Sequence, residues 1–512
     1  MPAKRAIVGG VILALVVMGA SFSMRESSAN ARELKIAFQG SWKTTHPGLQ
    51  HTLVGDLTLS NQFEALVAFS GVGKYVALAA KHWTISPDYR VFRFDIDTSR
   101  KFSDGVPLAA RHFKESWENS YRLNPQSANS SLLDVLYKLE GFSEFDKKGE
   151  FTGVKVIDDA TLEVRFSSPF RMALEHLSGN RFAAFREVDG KFLGTGAYVI
   201  EDLGNERLRM TPNPYYPTPA KNPILLSSVV GSQTIDALET GEVDAVAYVM
   251  ASTVSSDVLK TKKNLSTVVG QDALHRALYM NGQKGRLFAN VHYRQALQYL
   301  VYEYLKDRPE LIGNPAFTSF DMQVYLPLQS GRIDENEVTV LVKKGKPYVE
   351  GLLEAARKSP PVLIETRDNS MRSVLEAVGL TLSEKSRIVD KSTIIDIIYM
   401  GEEADLIPGN FGIASGDPDG IYHKLGRSGA IASPMTNNAA VAELLEIGRS
   451  LIAKDELDPF YQKVNREILE QVPFVHLGFN KAISVYRNDR IKVERNLLRR
   501  NEGDLLVFEA LE

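Results

Sequence analysis

Phe102-Ser103-Asp104-Gly105-Val106-Pro107-Leu108-Ala109-Ala110-Arg111-His112-Phe113-Lys114-Glu115-Ser116-Trp117 joins a strand end, a tight turn and a helix start. Immediately upstream, Tyr89 to Asp97 alternates large apolar with polar residues, the period-two signature of a half-buried strand. Asp104-Gly105 supplies the turn. Val106-Pro107 holds the chain extended, and Ala110, Phe113, Trp117 and Tyr121 then recur at spacings of three and four, which predicts an amphipathic helix over 109–121. Downstream, Asp158-Asp159 separates two alternating runs and predicts a hairpin.

The stretch LAAKHWTISPDYRVFRFDIDTSRKFSDGVPLAARHFKESW, residues 78–117, resembles the family 5 extracellular solute-binding proteins, the oligopeptide and dipeptide receptors of ABC importers. Further matches follow in family order. Asn61 to Val67, expected as a helix, resembles the segment before the first lobe crossing. Gly194-Thr195-Gly196-Ala197-Tyr198 resembles a GTGPY return with alanine for proline, where glycines are expected to supply unusual φ. Asn213-Pro214-Tyr215-Tyr216 resembles an NPxYW turn, and Ala237 to Ala245 a helix, turn and strand in which Gly241 ends the helix at positive φ. Ala277 to Gly282, Tyr293 to Leu297 and Tyr461 to Leu477 resemble the entry, first helix and closing strand of a third lobe. Glu335 to Lys346 reads as a linker.

The resemblance implies an α/β fold of the type II periplasmic-binding-protein kind, with two large lobes, a hinge and a third, smaller inserted lobe. Its boundaries are expected at 32–70, 192–272 and 478–512 for a discontinuous lobe I, 71–191 for the inserted lobe II and 273–477 for lobe III. A chain of 512 residues is in any case too long for one core.

Lys4 and Arg5 precede an apolar run from Ala6 to Ala20, and Ala29-Asn30-Ala31 closes the segment, so residues 1–31 read as a signal peptide rather than a membrane span of about 20 apolar residues. Cysteine is absent, which excludes disulfides, a Cys nucleophile and a lipidated cysteine at the cleavage site. The expected address is the periplasm. With 60 basic and 63 acidic residues the net charge is −3, and nothing favours nucleic acid as a partner.

Motifs for chemistry fail on inspection. Ser70-Gly71-Val72-Gly73-Lys74 lacks the earlier glycine of a phosphate loop, Ala68 standing in its place, and Tyr75 replaces the magnesium-binding hydroxyl. Asp417-Pro418-Asp419-Gly420 is too sparse for an EF-hand, the nine histidines form no metal-ligand pair, and no Gly-x-Ser-x-Gly elbow occurs. No enzyme activity, metal or cofactor is expected.

In the resembling family a ligand is enclosed between lobes I and III by hinge closure, on a frame that takes peptides, sugars, nickel complexes or opines. The implied function is a receptor that takes a peptide or other small polar ligand to an ABC permease in the inner membrane, as a monomer. The alternative is a divergent receptor for a non-peptide ligand, or one serving a sensor or chaperone. By position, Trp42, Tyr279 and Asn281 are cleft candidates. Arg367 lies where some members bind a carboxylate, for which a bidentate guanidinium is suited; the bland reading is a surface arginine. Alignment on Asp417-Pro418-Asp419 puts Phe411 where a pocket tryptophan is usual and Ala414 where an aspartate holds the ligand's α-amino group. Alanine cannot neutralise an ammonium, so free-amine peptides require Asp417 to take that role; the competing reading is that Asp417 caps the following turn. His112 and Ala109 replace an Asp and a Thr of the family pattern.

Overall fold

Val91–Ile96 forms the expected strand, with Phe92, Phe94 and Ile96 fully buried and Arg93 and Asp95 exposed. It lies second in a four-stranded antiparallel sheet, Ala80–Ile85, Val91–Ile96, Thr161–Arg165, Val154–Asp158, whose last two strands are the hairpin turned by Asp158 and Asp159. This is a computed structural model, which describes residues 31–512 apart from positions 41, 51, 71–73, 124–130, 230–232, 251–255, 314, 328, 367–369, 390–393, 395–396, 398–403, 413–415, 427–434, 436–437, 495–504 and 512. The signal-peptide assignment, save Ala31, thus lies outside the described residues. No helix among those described is long and apolar enough to cross a membrane.

The turn forms as the sequence requires. Gly105 has φ +87°, and Asp104 Oδ1 accepts from the Val106 N–H at 3.1 Å. The helix runs Ala110–Leu123 and buries Ala110, Phe113 and Trp117 against Phe102, Phe151 and Phe182. Trp117 Nε1 donates to the Phe182 carbonyl at 2.9 Å, so the indole enters the core without an unmet donor. His112 turns out to be part of the helix start: its Nδ1 accepts from the Ala109 N–H at 3.0 Å, the backward half of a capping box. That bond needs a neutral ring. Burial, helped by Arg111 and Arg186, pulls the His112 pKa down to about 4.

A second, larger sheet runs in the order Tyr198–Gly204, Arg207–Pro212, Ile224–Val229, Leu34–Gln39, Ala245–Met250, Phe474–Arg487, Leu265–Met280, Leu406–Gly412. Leu34–Gln39 is parallel to both of its neighbours; the other neighbouring pairs in this order are antiparallel. Two long strands, Leu265–Met280 and Phe474–Arg487, carry the sheet across from one body to another. At one end Ile483 pairs with Val249 and Val269, while at the other Tyr279 pairs with Phe474 and with Ile407. Their register shifts between Val269 and Ala273 and again between Arg276 and Ala277. Beyond the crossing, helices Val291–Leu305, Glu335–Lys343, Ala439–Gly448 and Lys454–Gln471 close the C-terminal core around Leu278, Met280, Leu297, Tyr461 and Ile468.

Three local expectations are corrected. Asn61 to Val67 is not a helix: the helix is Leu53–Leu59, and Asn61 ends it by donating from Nδ2 to the carbonyl of Leu57 at 2.9 Å. Glu335 to Lys346 is not a linker, because Asp334 caps a helix over Glu335–Lys343 that buries Val338, Leu341 and Val342. Gly194 and Gly196 serve close approach rather than positive φ: a Cβ would lie 2.0 Å from the Gln62 carbonyl oxygen at Gly194 and 2.6 Å from that of Asn61 at Gly196. Gly241, with φ +74°, does end its helix as read.

Candidate functional site

The strand crossing concentrates aromatic and basic side chains. His275 and Phe411 are register partners on adjacent strands, which brings their rings to 4.7 Å at 14°, stacked. Tyr279, two positions along the same face from Ala277, lies 6.3 Å from Phe411 and 5.9 Å from Phe474. Lys424 Nζ sits 5.3 Å from the centre of the Phe411 ring, a cation–π contact.

Opposite Phe411, His275 Nδ1 is 3.2 Å from His476 Nε2, and His476 Nδ1 is 2.8 Å from the Asp321 carbonyl. A carbonyl only accepts, so His476 carries its proton on Nδ1, its Nε2 accepts, and His275 donates from Nδ1. Both rings are held neutral by burial, His476 at about 3 and His275 well below 6.5, the latter also opposed by His476 and Lys424. Burial likewise lowers Lys424 to about 8 and Arg276 to about 10. The centre is thus built to stack flat groups and to disfavour added positive charge.

The sequence candidates separate in space. Tyr279 and Phe411 belong to one core, of which they are buried members. Asn281 is fully buried two positions beyond Tyr279, with Nδ2 donating to the Ala404 carbonyl at 2.9 Å and Oδ1 accepting from the Gln283 N–H at 3.1 Å. Trp42 is in a different core, with Phe38 and Leu57. Arg367 and Ala414 lie outside the described residues.

Asp417 both caps its turn and pairs. Its carboxylate accepts from the Asp419 N–H at 2.9 Å and, bidentately, from Arg171 Nε at 2.9 Å and Nη2 at 3.1 Å. Asp419 is almost fully buried, accepts from Tyr461 Oη at 3.1 Å and lies 3.5 Å from Arg449 Nε; burial pushes its pKa up to about 7, with Asp417 adding to the rise and Arg449 opposing it. Both carboxylates of this turn therefore face arginines of the chain itself. Sequence reading missed Arg171, His275, His476 and Lys424, since their partners lie up to about 250 residues away and no local spacing marks them.

One long sheet whose shared strands run through two bodies, with a further lobe inserted between its first strand and the rest of that sheet, is the fold of the type II periplasmic binding proteins. The solved structures agree. The ABC transporter-associated periplasmic binding protein DppA of Helicobacter pylori, in complex with the peptide STSA, superposes with TM-score 0.72 at 15% identity over 96% of this chain and 100% of that one. The murein tripeptide binding protein MppA of Escherichia coli gives 0.74 at 18% identity over 95% and 100%. Residues 74–302 match the model of the bacterial extracellular solute-binding proteins, family 5 Middle. Among curated relatives, the periplasmic oligopeptide-binding protein OppA of Escherichia coli is 29% identical over 256 residues, 46% of this chain and 46% of the relative. The chain thus aligns with about half the length of the curated relatives it matches.

Proposed function

We propose that this chain is a periplasmic receptor that captures an oligopeptide-like or other small polar ligand and delivers it to the permease of an ABC importer in the inner membrane. The observation that carries this reading is the pair of strands Leu265–Met280 and Phe474–Arg487, which run through both large bodies and shift register twice along the way. Such a pair is a hinge on which two lobes close over a solute, excluding water so that few polar contacts suffice. The lobes in this reading are 32–70, 192–272 and 478–512 against 273–477, with 71–191 inserted. The likeness to peptide-bound DppA over the whole length supports the same reading.

A second reading, a receptor for a non-peptide or amine-blocked ligand, is favoured by one observation. Asp417, the carboxylate that would have to hold an α-amino group, already serves Arg171. A thermal-shift screen decides between them, using residues 32–512 with free and acetylated di- to pentapeptides, sugars and metal chelates. A ligand at 100 times its Kd adds about 2.7 kcal/mol, a readable shift. Stabilisation by free-amine peptides that acetylation abolishes establishes the first reading; a response to acetylated peptides or other solutes alone establishes the second; silence throughout refutes the receptor function.

A further inference from the structure

Arg171 stands in the connection between strand Thr161–Arg165 and helix Ala173–Leu177, and its neighbours Phe170 and Met172 are buried in the core of the inserted lobe. Its backbone is therefore fixed there, yet its guanidinium leaves that lobe. Nε donates to Asp417 Oδ2 at 2.9 Å, Nη2 to Asp417 Oδ1 and to Tyr461 Oη, each at 3.1 Å, and Nη1 to the carbonyls of Gly448, at 3.0 Å, and Leu451. Five donors meet five acceptors, all in the C-terminal body, and the side chain is only 4% exposed.

The acceptors form a socket that the C-terminal body holds by its own bonds. The Asp417 carboxylate is aimed by the Asp419 N–H, and the Asp417 carbonyl accepts from Gln329 Nε2 at 3.2 Å. Tyr461 is anchored on Asp419 and packs edge-on against Tyr325 at 6.2 Å. Gly448 ends the helix Ala439–Gly448, where the carbonyls carry the negative end of the helix dipole. A Cβ at Gly448 would sit 2.7 Å from Tyr461 Oη, so only glycine leaves the socket its shape.

We propose that Arg171 is an interlobe latch, a cation carried by the inserted lobe that plugs into this acceptor socket and sets how much of the ligand-free protein holds the inserted and C-terminal lobes together. Its contacts are charged and polar, so water can replace them when the lobes part, and the joined state is exchangeable where an apolar interface would not be. The consequence for binding rests on the receptor reading above: a solute that needs the lobes joined gains apparent affinity in proportion to the latched fraction.

The chain has no cysteine, so two introduced ones take spin labels uniquely. Ile157→Cys on the strand Val154–Asp158 and Val340→Cys on the helix Glu335–Lys343 are exposed sites on the two lobes. Distances are read by electron double resonance in ligand-free protein. The parent is expected to show one short population. Arg171→Gln and Asp417→Asn are each expected to raise the longer-distance fraction about tenfold, the weight of one charge-assisted hydrogen bond, and Arg171→Lys, which cannot fill the fork, falls between. Distributions for both variants that superimpose on the parent overturn the latch. Circular dichroism of each variant reports folding, and if Arg171→Gln does not fold, Asp417→Asn, which leaves the inserted lobe untouched, carries the test. No solute is present, so a chain that proves to bind nothing would sink the receptor reading and leave the latch result standing.

Discussion

Glu64 is fully buried where the chain passes between the first body and the inserted lobe, and removing it should be among the most damaging changes short of the core. Its carboxylate accepts twice from Arg100 Nη1, at 2.7 and 2.8 Å, and once from Thr195 Oγ1 at 3.0 Å, so it ties together the outgoing chain, the inserted lobe and the returning chain. Arg100 is 8% exposed, its Nε has no hydrogen-bond partner among the described residues, and Asp97 Oδ2 is 3.8 Å from that Nε. Glu64→Leu therefore strands a guanidinium out of water, at a cost of about 3–5 kcal/mol. Replacing both partners by apolar residues of similar size, Glu64→Leu with Arg100→Met, removes the stranded charge and should cost about 1 kcal/mol or less. The coupling across the double-mutant cycle is then at least about 2 kcal/mol. Urea unfolding followed by tryptophan fluorescence measures it, because Trp83 and Trp117 pack with the inserted-lobe core and Trp42 reports the first body. If Glu64→Leu costs under about 1 kcal/mol, or if the double variant costs the sum of the singles, the carboxylate is not neutralising a buried charge and the reasoning fails.

Two further expectations concern protons and backbone. The folded pKa of His112, about 4, lies below its ordinary 6.5, so the unfolded chain takes the proton first as pH falls. The capping bond thus contributes fully above about pH 6.5 and is lost on the way down to about pH 4; His112→Gln, which can still accept from Ala109, should show a smaller fall in Tm between pH 7 and 4.5 than the parent. An unchanged fall would assign the pH dependence elsewhere, for instance to His46, whose pKa burial also lowers to about 4. Gly478→Ala should be far worse than Gly190→Ala. Both have positive φ, +120° and +73°, but a Cβ at Gly478 meets the Ser319 carbonyl oxygen at 1.8 Å while one at Gly190 meets nothing within 4 Å among the described residues. Strain alone costs about 1–2 kcal/mol, so equal losses in the two variants would show that the close approach contributes nothing.

What could be read before folding was what depends on near neighbours. The strand at Val91–Ile96, the Asp104-Gly105 turn, the helix that follows and the Asp158-Asp159 hairpin each follow from alternation, helical spacing or turn chemistry within about 15 residues. Reading failed where the deciding partner was remote. Asn61 to Val67 is apolar enough for a helix, but Asn61 Nδ2 ends the preceding helix and its Oδ1 accepts from Leu505 N–H, 444 residues on. Glu335 to Lys343 looks like a charged linker until its three inward residues meet the C-terminal core.

The candidate site was legible only in part. Phe411 and Tyr279 were singled out by position alone; their rings lie 6.3 Å apart because Tyr279 pairs with Ile407 on the strand that also carries Phe411, a pairing no local pattern announced. Asp417 could be singled out from its turn, and its capping of that turn is local. That its carboxylate is claimed by Arg171 is not, since 246 residues separate the pair.

Sequence by itself determined the period of each element, the turns that punctuate them and the order of motifs that marks a lobed solute-binding frame, because these are short-range properties of side-chain size and backbone preference. The tertiary structure alone decided which charged and polar groups are paired inside the protein. Arg100 with Glu64, Arg171 with Asp417 and His275 with His476 are each settled by which surfaces come together. A buried charge or polar group must find its partner wherever the fold brings one, and no spacing along the chain records that choice.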